Sequence, residues 1–176
     1  PKISLPDYLR LCWATIRKRP RAWAAFALAC LAVFVFSRFY SLRFNMTESM
    51  PHTLVLVEEW RRPAPGEIER GQLVAWRWQG GLVWPEGAVF LKIVKGLPGD
   101  RITVSGRDYW VNGEYVGRAK TVSRLGQPLE AASHPDTIPE GHYYLYAPHK
   151  DSLDSRYQAV GLVPHARIMG RAYAIF

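Results

Sequence analysis

Residues 109–116 read YWVNGEYV. Two short runs of aromatic and β-branched residues flank Asn112-Gly113, the dipeptide that most readily supplies the two positive φ angles of a two-residue hairpin. Such a turn joins antiparallel neighbours, and the same pattern continues on both sides. Upstream, residues 53–57 (TLVLV), 72–78 (QLVAWRW), 89–94 (VFLKIV) and 101–104 (RITV) are short runs of β-forming residues. Downstream, 142–147 (HYYLYA) and 167–176 (RIMGRAYAIF) close the series. Gly and Pro punctuate the gaps at 63–66 (PAPG), 96–100 (GLPGD) and 139–141 (PEG). Short strands at this spacing predict a mostly β, antiparallel domain. Residues 117–138 are polar with little periodicity, which predicts a long loop or a small subdomain.

The amino-terminal part follows other rules. Residues 22–37 (AWAAFALACLAVFVFS) carry no charge. As a helix these residues reach about 24 Å, short of the ~30 Å hydrocarbon core, and Arg21 and Arg38 can snorkel to extend the span. The apolar residues run all round the helix, which favours lipid over a half-buried place in a core. No clean A-x-A site follows, as a cleaved signal peptide would need. The cluster Arg17-Lys18-Arg19-Pro20-Arg21 precedes the run, and the positive-inside rule puts it in the cytoplasm. The expected organisation is a basic cytoplasmic segment at 1–21, a transmembrane anchor at 22–42 and an extracytoplasmic β-rich domain at 43–176. A short amphipathic surface helix is expected over 5–16.

Charge distribution excludes one class of function. The chain carries a net +8, but residues 1–40 hold seven basic side chains against Asp7, while 41–176 hold sixteen basic and fourteen acidic ones. The excess lies beside the apolar run and not on the folded body, so a nucleic-acid partner is not expected and an anionic lipid surface is. The two cysteines, Cys12 and Cys30, fall on the cytoplasmic and membrane side of this topology. They predict neither a disulfide nor a cysteine metal site.

Two residues stand out chemically. Ser49 precedes Met50-Pro51, and a residue before proline is pushed to an extended conformation, so Ser49 sits where a strand meets a turn. Lys92 lies inside the apolar strand Phe90-Leu91-Lys92-Ile93-Val94, and alternation places it on one face with Phe90 and Val94. A lysine stripped of water there loses part of its preference for the charged form, which suits a general base. Lys95 points the other way and is expected in solvent. Taken singly, each has a plainer reading, a turn serine and a lysine whose stem packs while its head reaches water.

Together the segments resemble the type I signal (leader) peptidases, the Ser–Lys proteases of peptidase family S26, over nearly all of residues 40–176. Three blocks carry the resemblance: Ser49-Met50-Pro51, the eleven residues 90–100 (FLKIVKGLPGD), and 151–156 (DSLDSR) followed by 161–164 (GLVP) and 168–172 (IMGRA). The resemblance implies an antiparallel β catalytic domain of signal-peptidase type behind one N-terminal transmembrane helix. It implies a serine endopeptidase with Ser49 as nucleophile and Lys92 as general base. The oxyanion hole would combine the Ser49 amide with the Thr47 hydroxyl. Ser152 would bond the lysine amine, and Asp154 and Arg156 would support the site as an ion pair. No cofactor and no metal are implied. The substrates would be exported precursors with small residues before the cut, met at a bacterial inner membrane with the catalytic domain on the periplasmic side. The compact middle region and the T-x-S-M-P box resemble the TraF-like pilin-maturation branch, which serves conjugation; a housekeeping leader peptidase is the alternative within the family. The family's usual Gly-Asp-Asn before the last block is Pro148-His149-Lys150 here, so a different local loop is expected.

Other readings fare worse. Five histidines are present (His52, His134, His142, His149, His165), but there is no G-x-S-x-G elbow and no H-E-x-x-H spacing. The alternative from another class is a catalytically silent, membrane-tethered β module that binds partners in a secretion or conjugation complex. Oligomeric state is not legible.

Overall fold

The computed structural model of the chain describes residues 5–6, 13, 17–45, 49–81 and 84–175. The expected helix over 5–16 therefore falls largely outside the described residues. Two compact units divide between Phe39 and Tyr40. In the first, helix α1 runs Pro20–Phe39 with no buried residue. It is long and apolar enough to cross a membrane, with a mean hydropathy of 1.9.

Among the described residues the second unit contains ten strands: β1 Tyr40–Phe44, β2 Leu54–Glu58, β3 Leu73–Arg77, β4 Val89–Gly96, β5 Ile102–Ser105, β6 Asp108–Val111, β7 Glu114–Arg118, β8 His142–Tyr146, β9 Val163–Pro164 and β10 Ile168–Ala174. Seven form one sheet in the order β1-β2-β10-β3-β4-β8-β9, and β5-β6-β7 form a second. Every pairing is antiparallel. Asn112 and Gly113 take φ of 51° and 78°, as the hairpin of β6 and β7 requires. Strand β1 takes up Tyr40, Ser41 and Leu42, which the hydropathy pattern leaves with the anchor. β9, two residues long, carries no periodic signal.

The strands bury three apolar clusters. Trp76, Trp78, Val74 and Val94 pack with Tyr143 and Leu145 on one face of the large sheet. Val55, Val57, Ala75, Leu91 and Ala172 pack with Met50 on the other. Tyr109, Val111 and Val116 of the small sheet close on Tyr144 and Tyr157. Each large side chain removed from water contributes roughly 1.5–3 kcal/mol. Gly96 makes the last closure possible, since a Cβ there would lie 2.5 Å from Ile138 Cδ1 and 2.9 Å from Tyr144 Cβ.

Residues 117–138 are an ordered strap and not a free loop. The Arg107 guanidinium donates to the carbonyls of Ala119 (2.8 Å), Lys120 and Leu129 (2.8 Å). The Ser123 hydroxyl accepts the amides of Leu125 and Gln127. Those side-chain bonds replace the missing apolar periodicity, which is why the sequence pattern is faint there.

Candidate active site

Strand β4 sets Lys92 opposite Val74 of β3. Phe90 and Val94, on the same face by alternation, belong to the tryptophan-rich cluster. Lys92 is 3% exposed, and its amine lies 5.7 Å from the centre of the Phe90 ring. Nζ donates a 3.0 Å hydrogen bond to Ser152 Oγ. Burial lowers the Lys92 pKa from 10.5 to about 8; the Asp154 charge opposes the fall and the Arg156 charge adds to it. An amine so placed is substantially neutral within reach of physiological pH and can accept a proton.

The segment 151–156 holds Ser152 in place through its own polar contacts. Asp154 is completely buried. Its carboxylate accepts Arg156 Nε (2.9 Å) and Nη2 (2.8 Å) and the amides of Ala147 (3.2 Å) and Arg156 (3.2 Å). Burial works against the Arg156 charge, but the Asp154 hydrogen bonds and charge outweigh it and hold the guanidinium above the ordinary arginine pKa. Ser155 Oγ accepts the Leu145 amide at 2.9 Å, tying the segment to β8. At Pro148-His149-Lys150 a turn forms in which the His149 carbonyl accepts the Ser152 amide (3.0 Å) and His149 Nδ1 the Asp151 amide (3.3 Å). The unusual tripeptide therefore still positions Ser152.

Ser49 lies half-buried in the loop between β1 and β2. Met50, next to it, is 5% exposed and packs in the cluster that holds Leu91 and Ala147. Leu91 precedes Lys92, so one packed side chain ties the serine loop to the lysine strand. The loop is clamped by Asn45, whose amide donates to the Thr53 carbonyl (2.8 Å) and whose Nδ2 donates to the carbonyls of Met50 (3.2 Å) and His52 (3.0 Å). Asn45 was not singled out from the sequence; an Asn bridging a tight loop is the kind of signal that could have found it. Thr47 lies outside the described residues. Lys92, Ser152, Asp154 and Arg156 thus form one connected buried group, with Ser49 approached through Met50.

Other polar residues hold the frame. Asp100 accepts the Leu97 amide (2.6 Å), Arg70 Nη2 (2.8 Å) and Asn112 Nδ2 (2.7 Å), locking the turn after β4. His134 Nε2 lies 2.8 Å from the Ser155 carbonyl and its ring contacts Tyr109 and Tyr144, a structural placement.

The model of the family described as signal peptidase, peptidase S26, matches residues 19–176. The chain belongs to that family. Among curated proteins it is similar to a probable signal peptidase I-2 of Synechocystis, 31% identical over 49% of this chain and 38% of the relative. It is 28% identical to signal peptidase I of Bacillus licheniformis over 63% of this chain and 60% of the relative. It is also 28% identical to signal peptidase I of Pseudomonas fluorescens, over 63% and 50% respectively. The chain thus spans between about two fifths and three fifths of the length of these relatives. A crystal structure of a signal peptidase I from Enterococcus faecalis V583 aligns with 58% of this chain and 94% of its own, at 22% identity and a TM-score of 0.40, too slight a likeness to bear weight.

Proposed function

We propose that the protein is a membrane-anchored serine endopeptidase that removes signal or leader peptides from exported precursors, with Ser49 as nucleophile and Lys92 as general base. The observation that carries the reading is the buried Lys92 amine, held at 3.0 Å from Ser152 and depressed to a pKa of about 8. Ser49 Oγ attacks the scissile carbonyl while neutral Lys92 takes the hydroxyl proton. The oxyanion forms against the Ser49 amide and the Thr47 hydroxyl, donors worth roughly 3 kcal/mol each in such sites. The C–N bond then breaks, the Lys92 ammonium gives its proton to the leaving amine, and the acyl group stays on Ser49. Water, deprotonated by Lys92, releases the acyl group and restores the serine.

The anchor would be α1, with the basic segment 1–21 in the cytoplasm and residues 43–176 on the periplasmic side of a bacterial inner membrane. The catalytic unit adds an observation of its own. Across β1, β2 and β10 the register aligns Leu42 with Leu56 and Leu56 with Tyr173. A second row aligns Phe44 with Leu54, whose carbonyl accepts the Ile175 amide. Phe44 is 70% exposed and Leu42 54%, an outward apolar face of the kind that rests against lipid. Holding the site at the bilayer raises its effective concentration toward precursors emerging there. An extended precursor would bind as an added strand, with shallow pockets beside Met50 selecting small side chains before the cut. A conjugative pilin is the precursor class we favour, since the short ordered strap at 117–138 replaces any large accessory domain.

The test is cleavage in detergent of precursors carrying A-x-A-type sites, pilin precursors included, by wild type, Ser49→Ala and Lys92→Ala. Cleavage by wild type alone is expected. Cleavage that survives both substitutions overturns the dyad, and absence of cleavage by every form favours a silent binding module.

A further inference from the structure

The strap at 117–138 grips the segment that carries Ser152, and it does so by two different means. Over 155–158 the grip is made of hydrogen bonds. The Ala132 amide donates to the Arg156 carbonyl (2.9 Å), and the Gln158 amide donates to the Glu130 carbonyl (3.0 Å). His134 Nε2 lies 2.8 Å from the Ser155 carbonyl. Toward Ser152 the strap and the segment part around a cavity of about 300 Å3. Lys120, Val122 and Leu129 line it from the strap, and Asp151, Ser152 and Leu153 from the segment. Here packing gives way to charge: the Lys120 ammonium pairs with the Asp151 carboxylate, 31 positions along the chain.

Both partners are placed for this contact. The Lys120 carbonyl accepts the Arg107 guanidinium and its amide donates to the Tyr157 hydroxyl (3.2 Å). The ammonium is therefore delivered from a backbone held at both its polar groups. The Asp151 side chain is 12% exposed and that of Lys120 40%, so water and salt compete less for the carboxylate than in an ordinary surface pair. The turn before Ser152 is bonded within itself, since His149 accepts the amides of Asp151 and Ser152. Those bonds shape the turn; Lys120 ties it to a distant part of the chain. The Lys120 hydrogen bond outweighs burial and holds the Asp151 carboxyl below the usual aspartate range, with Lys150 and His149 adding to the effect. Asp151 is thus ionised at neutral pH.

We infer that Lys120 is a positioning residue for the base: through its ion pair with Asp151 it moors the residue before Ser152, and so sets the hydroxyl that receives the Lys92 hydrogen bond. The inference rests on the peptidase reading above, in which Lys92 is the base. It carries a consequence in charge as well as in place. Lys92 already faces Asp154 and Arg156, which act on it in opposite directions. Lys120 matches the one further charge in 151–156, that of Asp151. Left unmatched beside Ser152, the carboxylate favours the Lys92 ammonium over the neutral amine; an unmatched Lys120 does the reverse.

The test is a set of pH profiles of kcat and KM on one precursor, for wild type, Lys120→Met, Asp151→Asn, Lys120→Met/Asp151→Asn and Lys120→Arg. Lys120→Met should lower the plateau kcat about tenfold with KM nearly unchanged, as loosened positioning does. It should also raise the inflection by roughly half a pH unit. Asp151→Asn should move the inflection the other way. The double variant should return it to the wild-type place while kcat stays low, and Lys120→Arg should restore both. A pair that serves stability alone would lower Tm and leave the inflection fixed in every variant, which overturns the inference and leaves the peptidase intact. Shifts of one sign in Lys120→Met and Asp151→Asn overturn it too. The amine can also be read without cleavage, from the pH dependence of Lys92 acetylation by acetic anhydride in Ser49→Ala protein. The same opposed shifts are expected there, and their absence overturns the inference even for a variant too slow to assay. If wild type cleaves nothing while the acetylation shifts appear, the peptidase reading falls and the control of the amine by Lys120 stands.

Discussion

Strand β4 carries two lysines three residues apart, and the fold treats them oppositely. Lys92 faces the tryptophan cluster, is buried and donates to a neutral hydroxyl. Lys95 faces outward and forms a 2.5 Å ion pair with Glu114 of the small sheet. The difference follows from parity and from place along the strand: positions 92 and 95 fall on opposite faces of a period-two element, and Lys95, past the buried Leu91 of its own face, lies next to the strand's last residue, Gly96. One lysine is placed where its charge is costly and its neutral form is accessible; the other sits where charge is free and chemistry is absent. A candidate base in this sequence is therefore recognised by what its strand neighbours bury, and each prediction below tests one part of that contrast.

The largest effect belongs to Lys92→Met, expected to reduce cleavage by roughly 10⁴-fold or more, in line with losses on removing an essential base. The same change should stabilise the fold. With a folded pKa of about 8 against 10.5, the folded state binds fewer protons between those values, so wild-type stability rises with pH across that window. Below about pH 8 the full cost of a buried ammonium is present, about 3 kcal/mol on the linkage arithmetic. Thermal unfolding at pH 7 should therefore give a higher Tm for Lys92→Met, with the gain fading toward pH 10.5. A lower Tm at pH 7 would mean that the ammonium is better compensated than its surroundings suggest. In wild type, kcat/KM should rise with pH and level off above an inflection near pH 8; a flat profile through that range speaks against Lys92 as base.

Next comes Asp154→Ala, which strands the Arg156 guanidinium in the interior. Breaking one half of a buried pair costs about 3–5 kcal/mol, readable as a lower denaturant midpoint. Asp154→Ala/Arg156→Met should recover a good part of that loss, because no unpaired charge remains. Failure of the double variant to recover would show that the Ala147 amide bond, and not the pair, is what matters. Ser152→Ala should have a smaller effect, roughly ten- to a hundredfold in kcat, for a hydrogen bond of about 1.5–3 kcal/mol to a charged group. Because the bond is donated by the ammonium, its loss disfavours the charged form and should move the pH inflection downward. An unmoved inflection would mean that Ser152 serves packing alone.

How much of this was legible depends on the kind of interaction. Strand positions that pack through alternation, such as 89–94 and 72–78, could be read because burial leaves a period in the sequence. The 112–113 turn could be read because few residues tolerate two positive φ angles. The side-chain partnerships were legible only through family resemblance: nothing in a separation of 60 positions says that the chain brings Lys92 and Ser152 to 3.0 Å. Arg107 and Ser123 could not be read at all, since their bonds go to backbone carbonyls and amides and leave no compositional trace. β9 escaped because two residues cannot show a period.

The smallest expected effect sharpens the comparison most. Lys95→Met removes the ion pair to Glu114, whose side chain is 63% exposed. Such pairs are worth below about 1 kcal/mol, and salt weakens them further. The variant should cleave within about twofold of wild type, keep the pH inflection near 8, and lose a Tm increment that shrinks as salt is added. Lys92 and Lys95 share the strand, the residue type and nearly the same sequence surroundings, so a pH inflection that moved in Lys95→Met would assign the titration to the surface charge field. An inflection that stays put in Lys95→Met and disappears in Lys92→Met assigns it to the buried amine, because the two variants differ chiefly in which face of β4 loses its charge.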